Sequence, residues 1–157
     1  MASFGKVSND RLFTCVEPII VTANAVVKIF DCTVLCGRRS KEEQTKLYTS
    51  TPQRTKVQWP HSKHNVINPE DLSKAIDIVP YHSQSPHIRW PDPKKRPKTF
   101  AKDLGHFYSL ATAFRIIGLS LGYVFRSGFD WDSDWDINDQ FFDDVPHHEY
   151  VSQTKET

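Results

Sequence analysis

The sequence predicts an α+β domain: a small antiparallel sheet with packed helices. Three observations predict it. Residues 100–121 carry one long helical period, four short β-type runs are scattered along the chain, and these alternate irregularly with further helical segments. At 157 residues the chain is about the length of one domain, and a domain of this size buries roughly two thirds of its unfolded surface without needing staples.

The first helical segment covers residues 8–30. Ser8 is placed to cap it, Leu12, Val16, Ile19, Ala23, Val26 and Phe30 recur at steps of three and four, and Pro18 either kinks or divides it. Cys32 to Cys36 reads as a short buried strand ending at Gly37. Ser40 and Glu43 have the spacing of a capping box and open a second helix through about Thr49. Residues 50–74, with Pro52, Pro60 and Pro69, are expected to be mostly loop. Ala75 to Val79 is a strand closed by Pro80, and residues 82–99 form a proline-rich basic surface loop. In the long helix, Phe100, Leu104, Phe107, Ala111, Phe114 and Leu121 line one side, and Gly122 sits where a left-handed C-terminal residue is expected. Tyr123 to Arg126 and His147 to Val151 are the last two strands, separated by an acidic, aromatic stretch.

Composition narrows the function. Lys and Arg number 20 against 19 Asp and Glu, a net charge of +1. This argues against a strongly basic nucleic-acid binder, and the basic loop has Trp90 as its one aromatic where a single-strand binder interleaves several. Nothing approaches the ~18 uncharged apolar residues of a membrane span. Residues 1–6 lack the pattern of a secretory signal, so Cys15, Cys32 and Cys36 are expected to be buried, reduced thiols.

The chemistry begins at Asp77, a carboxylate inside the apolar run Ala75-Ile-Asp-Ile-Val79. An unpartnered buried carboxylate is costly, so Asp77 must face a cation, a donor cluster or water. Ser62-Lys-His64 lies upstream, and Asp144-Val-Pro-His147-His148-Glu149 downstream. Two imidazoles and one carboxylate suit zinc with a fourth position left open.

These residues carry a resemblance. Ser62-x-His64, Ala75-x-Asp77 with Pro80, and Asp144-x-x-His147-x-Glu149 resemble the zinc peptidases of the D-alanyl-D-alanine carboxypeptidase type, which share their fold with the Hedgehog signalling domain. More narrowly, the chain resembles phage endolysins that cut the L-alanyl-D-glutamate bond of peptidoglycan. Phe4-Gly5-Lys6, Gly37-Arg-Arg39-Ser40 with Gln44, and Arg126-Ser-Gly128-Phe-Asp130-Trp131 fit that subgroup, so the resemblance spans about residues 4–151. Two departures stand out: Ser73 replaces a usual glycine, and a short insert lies around residues 68–72.

The resemblance implies one catalytic domain over residues 1–157 with no separate wall-binding domain. It implies His64, Asp77 and His147 as zinc ligands and Asp144 as general base for a zinc-activated water. Arg39 would face the scissile carbonyl or a substrate carboxylate, while Ser62 and Gln44 would order the site or the peptide. His148 competes with His147 as ligand; His147 is preferred because it lies three residues after Asp144 and shares a strand face with Glu149. Asp130, Asp132, Asp134 and Asp136 resemble the first half of a calcium loop, although the glycine and the bidentate glutamate of such a loop are missing. Trp131 and Trp135 would pack on the core or wall the substrate groove. The expected partner is the peptidoglycan stem peptide, with no nucleic acid, no membrane insertion and a monomeric state. The enzyme would accumulate in the host cytoplasm and reach periplasmic peptidoglycan after holin-type release. The alternatives are a D,D-carboxypeptidase, which would release free D-alanine, and a non-catalytic zinc-binding interaction module, which would be expected to have lost Asp144.

Overall fold

A computed structural model describes residues 2–68 and 70–154. Among these, the chain runs α1 (Lys6–Leu12), α2 (Glu17–Val26), β1 (Cys32–Cys36), α3 (Lys41–Thr49), β2 (Ala75–Pro80), α4 (Phe100–Ser120), β3 (Tyr123–Gly128) and β4 (Asp144–Gln153). The strands form one antiparallel sheet in the order β1-β2-β4-β3. None of the described helices is long and apolar enough to cross a membrane.

Local chemistry explains most boundaries. Ser40 and Glu43 form the reciprocal capping box that opens α3. Pro18, in the first turn of α2, divides the first helical segment in two. The first helix starts earlier than residue 8: Gly5 is its N-cap, and Ser8 lies inside it, buried, with its hydroxyl against Thr33 Oγ1 at 2.9 Å. Gly122 ends α4 with φ +86°, a conformation that glycine adopts without a Cβ penalty. Within α4 the buried stripe is Phe107, Leu110, Ala111, Phe114 and Gly118, whereas Leu121 is exposed.

Helices α1, α2 and α4 cover one face of the sheet. Ile76 and Ile78 of β2 join Phe114 and Leu110 of α4, Ile19 and Val26 of α2, and Leu12 of α1 in the main core. The alternation of β2 then turns Asp77 to the other face. The insert expected around residues 68–72 belongs to the loop before β2, although Pro69 lies outside the described residues. That loop is pinned at its end: Ser73 N donates to Thr14 O, Lys74 N donates to Lys63 O, and the fully buried Ser73 hydroxyl bonds Ala75 O at 2.7 Å.

Candidate active site

The register of the sheet builds the site. Asp77 stands opposite Cys36 on β1 and opposite His147 on β4. Directly opposed residues of antiparallel strands project to the same face, so these three side chains form a row across three strands. His64 comes from the loop between α3 and β2. That loop lies along the chain after β1, with Arg39 N donating to His64 O at 2.9 Å, and so carries the imidazole over the row. Gly37 is required at this crossing, because a Cβ there would stand 2.3 Å from Arg11 O and 2.9 Å from Cys15 Sγ.

Three atoms converge. His64 Nε2 lies 3.1 Å from His147 Nδ1 and 3.1 Å from Asp77 Oδ1, and His147 Nδ1 lies 3.0 Å from Asp77 Oδ1. The outer ring nitrogens are already engaged: His64 Nδ1 donates to Gly37 O at 2.6 Å, and His147 Nε2 donates to Glu149 Oε1 at 3.1 Å. In the neutral tautomers those bonds fix, both inner nitrogens present lone pairs. Two lone pairs and a carboxylate oxygen facing one another call for a cation. The titration behaviour has the same cause. Burial opposes a charge on His64, but the Asp77 carboxylate outweighs it and pushes the imidazole up to about 10. His147 is likewise raised against burial by Asp77 and Glu149, and Asp77 is held well below the usual carboxylate range, against burial, by the two imidazoles.

This donor set fits zinc. Zn–N and Zn–O bonds of about 2.0–2.1 Å in a tetrahedron require donors about 3.3–3.4 Å apart, so the triangle need open by only a few tenths of an ångström. Glu149 is itself held by Arg126 Nη2 at 2.5 Å, so an Arg126–Glu149 pair fixes the orientation of His147. Trp131 tilts against His147 at 5.7 Å between ring centroids and walls that side, while Trp135 covers Arg115 at 3.9 Å.

The remaining expected site residues surround the triad. Asp144 begins β4 half-buried; burial raises its carboxyl pKa, and the charge of Asp77 raises it further. On a regular strand Asp144 and His147, three apart, would face opposite sides. A register break resolves this: Ser127 pairs with His148 but Gly128 with Asp144, so the segment between them bulges. Arg39 donates to Asp77 Oδ2 at 3.3 Å and to Gln44 Oε1 at 3.0 Å. Gln44 is fully buried and also donates to Val57 O, so it holds Arg39 in place and is screened from a groove of about 620 Å³ beside Arg39 that Trp59 and Ile67 help to line. Ser62 Oγ accepts from His64 N at 3.3 Å and shapes the loop.

His148 lies on the other face. It is fully buried, stacks on Phe114 at 4.5 Å and bonds Ser127 Oγ through Nδ1 at 2.7 Å; burial pushes its pKa down to about 3.

The structure does not support the calcium expectation. One oxygen each of Asp130, Asp132 and Asp134 come within 4.8 Å of one another. Asp130, however, turns inward and pairs with the buried Arg115, which with the Trp135 amide outweighs burial and keeps its pKa below normal. Asp136 spends its carboxylate on Asn138 N and Nδ2. With one carboxylate neutralised and another committed locally, the loop offers calcium little charge.

Sequence reasoning gave no role to Arg126 or Cys36, and it named Glu149 without a task. The alternation that puts Glu149 on the same face as His147 was the available signal.

Comparison with curated proteins finds no match. Among solved structures, the chain is similar to the Serratia marcescens L-Ala D-Glu endopeptidase ChiX. The TM-score is 0.64 at 15% identity, covering 96% of this chain and 91% of that one, a likeness of fold. The family model for phage L-alanyl-D-glutamate peptidase matches residues 1–151. A chain matched over nearly its whole length, with this arrangement of histidines and carboxylates, belongs to the phage L-alanyl-D-glutamate peptidase family.

Proposed function

We propose that the protein is a zinc-dependent endolysin whose centre is held by His64, Asp77 and His147 and whose reaction is hydrolysis of the L-alanyl-D-glutamate bond. The peptidase activity on peptidoglycan follows from the family. The zinc assignment is supported by one observation above all: His64 Nε2, His147 Nδ1 and Asp77 Oδ1 meet within 3.1 Å with their lone pairs facing inward.

Zinc in such a centre supplies Lewis acidity, polarising a carbonyl and making water nucleophilic near neutral pH. The chain's own groups do the rest. Asp144 takes the proton from the attacking water and passes it to the leaving amine of D-glutamate. Its raised pKa suits both steps better than an ordinary aspartate would. Arg39 is fixed by Asp77 and Gln44, so its charge is preorganised beside the carbonyl that gains negative charge. Glu149 and Arg126 keep His147 in the tautomer that points Nδ1 inward. The groove beside Arg39 receives the stem peptide, and release through a holin-type pore is the route to the wall.

Purified protein added to sacculi should release new amino termini, and mass analysis should show peptides freed at L-alanine. A chelator should stop this and zinc should restore it. Release of free D-alanine instead would establish the carboxypeptidase alternative, and no new termini would contradict hydrolysis altogether.

A further inference from the structure

The row that carries Asp77 and His147 has a third member that the proposed mechanism does not use. Cys36 is paired with Asp77 across β1 and β2, so its side chain rises on the same face. A ligand atom from each of Cys36, His64 and Asp77 lies within 4.8 Å of the other two. Arg39 Nη2 bridges two of them, 3.5 Å from Cys36 Sγ and 3.3 Å from Asp77 Oδ2. His64 and Asp77 therefore belong to two overlapping donor sets, one completed by His147 and one by a thiol.

The other cysteines are unlike it. Cys15 and Cys32 are buried in the main core, and burial pushes both thiols up to about 12. Cys36 is half-buried and faces the site. Thiolate is a soft donor that favours zinc and cadmium over hard ions, and a Zn–S bond of about 2.3 Å tolerates a longer reach than Zn–N.

Resting on the zinc-centre reading above, we propose that Cys36 is an additional protein donor to the ion held by His64 and Asp77. It selects soft ions over hard ones. On ligation the S–H bond breaks, an S–metal bond forms and the proton leaves to solvent. No oxidant or reductant is involved.

Cobalt(II) and cadmium(II) added to the metal-free full chain test this. The wild-type protein is expected to show a near-ultraviolet thiolate-to-metal charge-transfer band. Cys36→Ser and Cys36→Ala should lose that band while keeping the visible cobalt bands of the histidine and carboxylate ligands. Cys15→Ala and Cys32→Ala should retain it. Cadmium's advantage over manganese in competition should shrink in Cys36→Ser, and far-ultraviolet circular dichroism shows whether each variant is folded. Superimposable wild-type and Cys36→Ser cobalt spectra would overturn the role of Cys36 and leave the zinc centre standing. Failure of either ion to bind the wild-type protein would overturn both.

Discussion

His147 and His148 are neighbours on one strand, yet they live in different chemical worlds. His147 faces Asp77 and His64, is steered by Glu149 and is drawn toward positive charge. His148 faces α4, lies flat on Phe114, bonds the Ser127 hydroxyl and is kept neutral by burial. Strand alternation alone makes this division. The same division runs across the sheet. Cys36, Asp77 and Glu149 stand on the side of His147, and Ile76 and Ser127 on the side of His148. An identical side chain becomes a candidate metal donor or a core residue according to which face it meets.

The largest effect is expected from removing the site-facing imidazole. His147→Ala is expected to cost several kcal/mol of transition-state stabilisation, roughly a thousandfold or more in kcat/KM; sacculus digestion measures it. Next comes Asp144→Asn, which should lower turnover by about 10²- to 10⁴-fold while zinc stays bound. Undiminished turnover would remove Asp144 from the mechanism. Glu149→Gln weakens the hold on His147 and should reduce zinc affinity by about 10- to 100-fold, read by competition with a chelating dye.

On the core face the expectations reverse. His148→Leu leaves the Ser127 hydroxyl without its partner, which should cost about 1–3 kcal/mol in urea unfolding, with peptidase activity unchanged. A loss of activity without a loss of stability would undo the two-face account. The smallest effect is chemical. A thiol reagent at mildly alkaline pH should label Cys36 in the native protein but spare Cys15 and Cys32, whose thiols burial pushes up to about 12. Bound zinc should slow the labelling of Cys36.

Much of this was legible in the chain. The capping box at Ser40 and Glu43 depends on local spacing alone, and it appears as read. The strands around Asp77 and His147 carried their face assignments in their alternation, so the convergence of His64, Asp77 and His147 could be anticipated from family motifs. What could not be read depends on partners distant in sequence. Ser8 looks like a cap, but its hydroxyl is taken by Thr33, 25 residues away. Asp130 looks like part of a cation loop, but Arg115 on α4 claims it. Gln44 is expected to order the site or the peptide, yet it is fully buried behind Arg39 because Arg39, Asn65 and Val57 close around its amide. The bulge that brings Asp144 to the side of His147 exists only in the pairing of β4 with β3.

The most direct test is the zinc content of His147→Ala and His148→Leu after reconstitution and dialysis, measured beside the wild-type protein. One zinc per chain is expected in the wild type and in His148→Leu, whereas in His147→Ala, where Cys36, His64 and Asp77 remain as donors, zinc is held weakly enough to be stripped by a chelating dye. Zinc retained by His147→Ala and lost from His148→Leu would contradict the account at its centre.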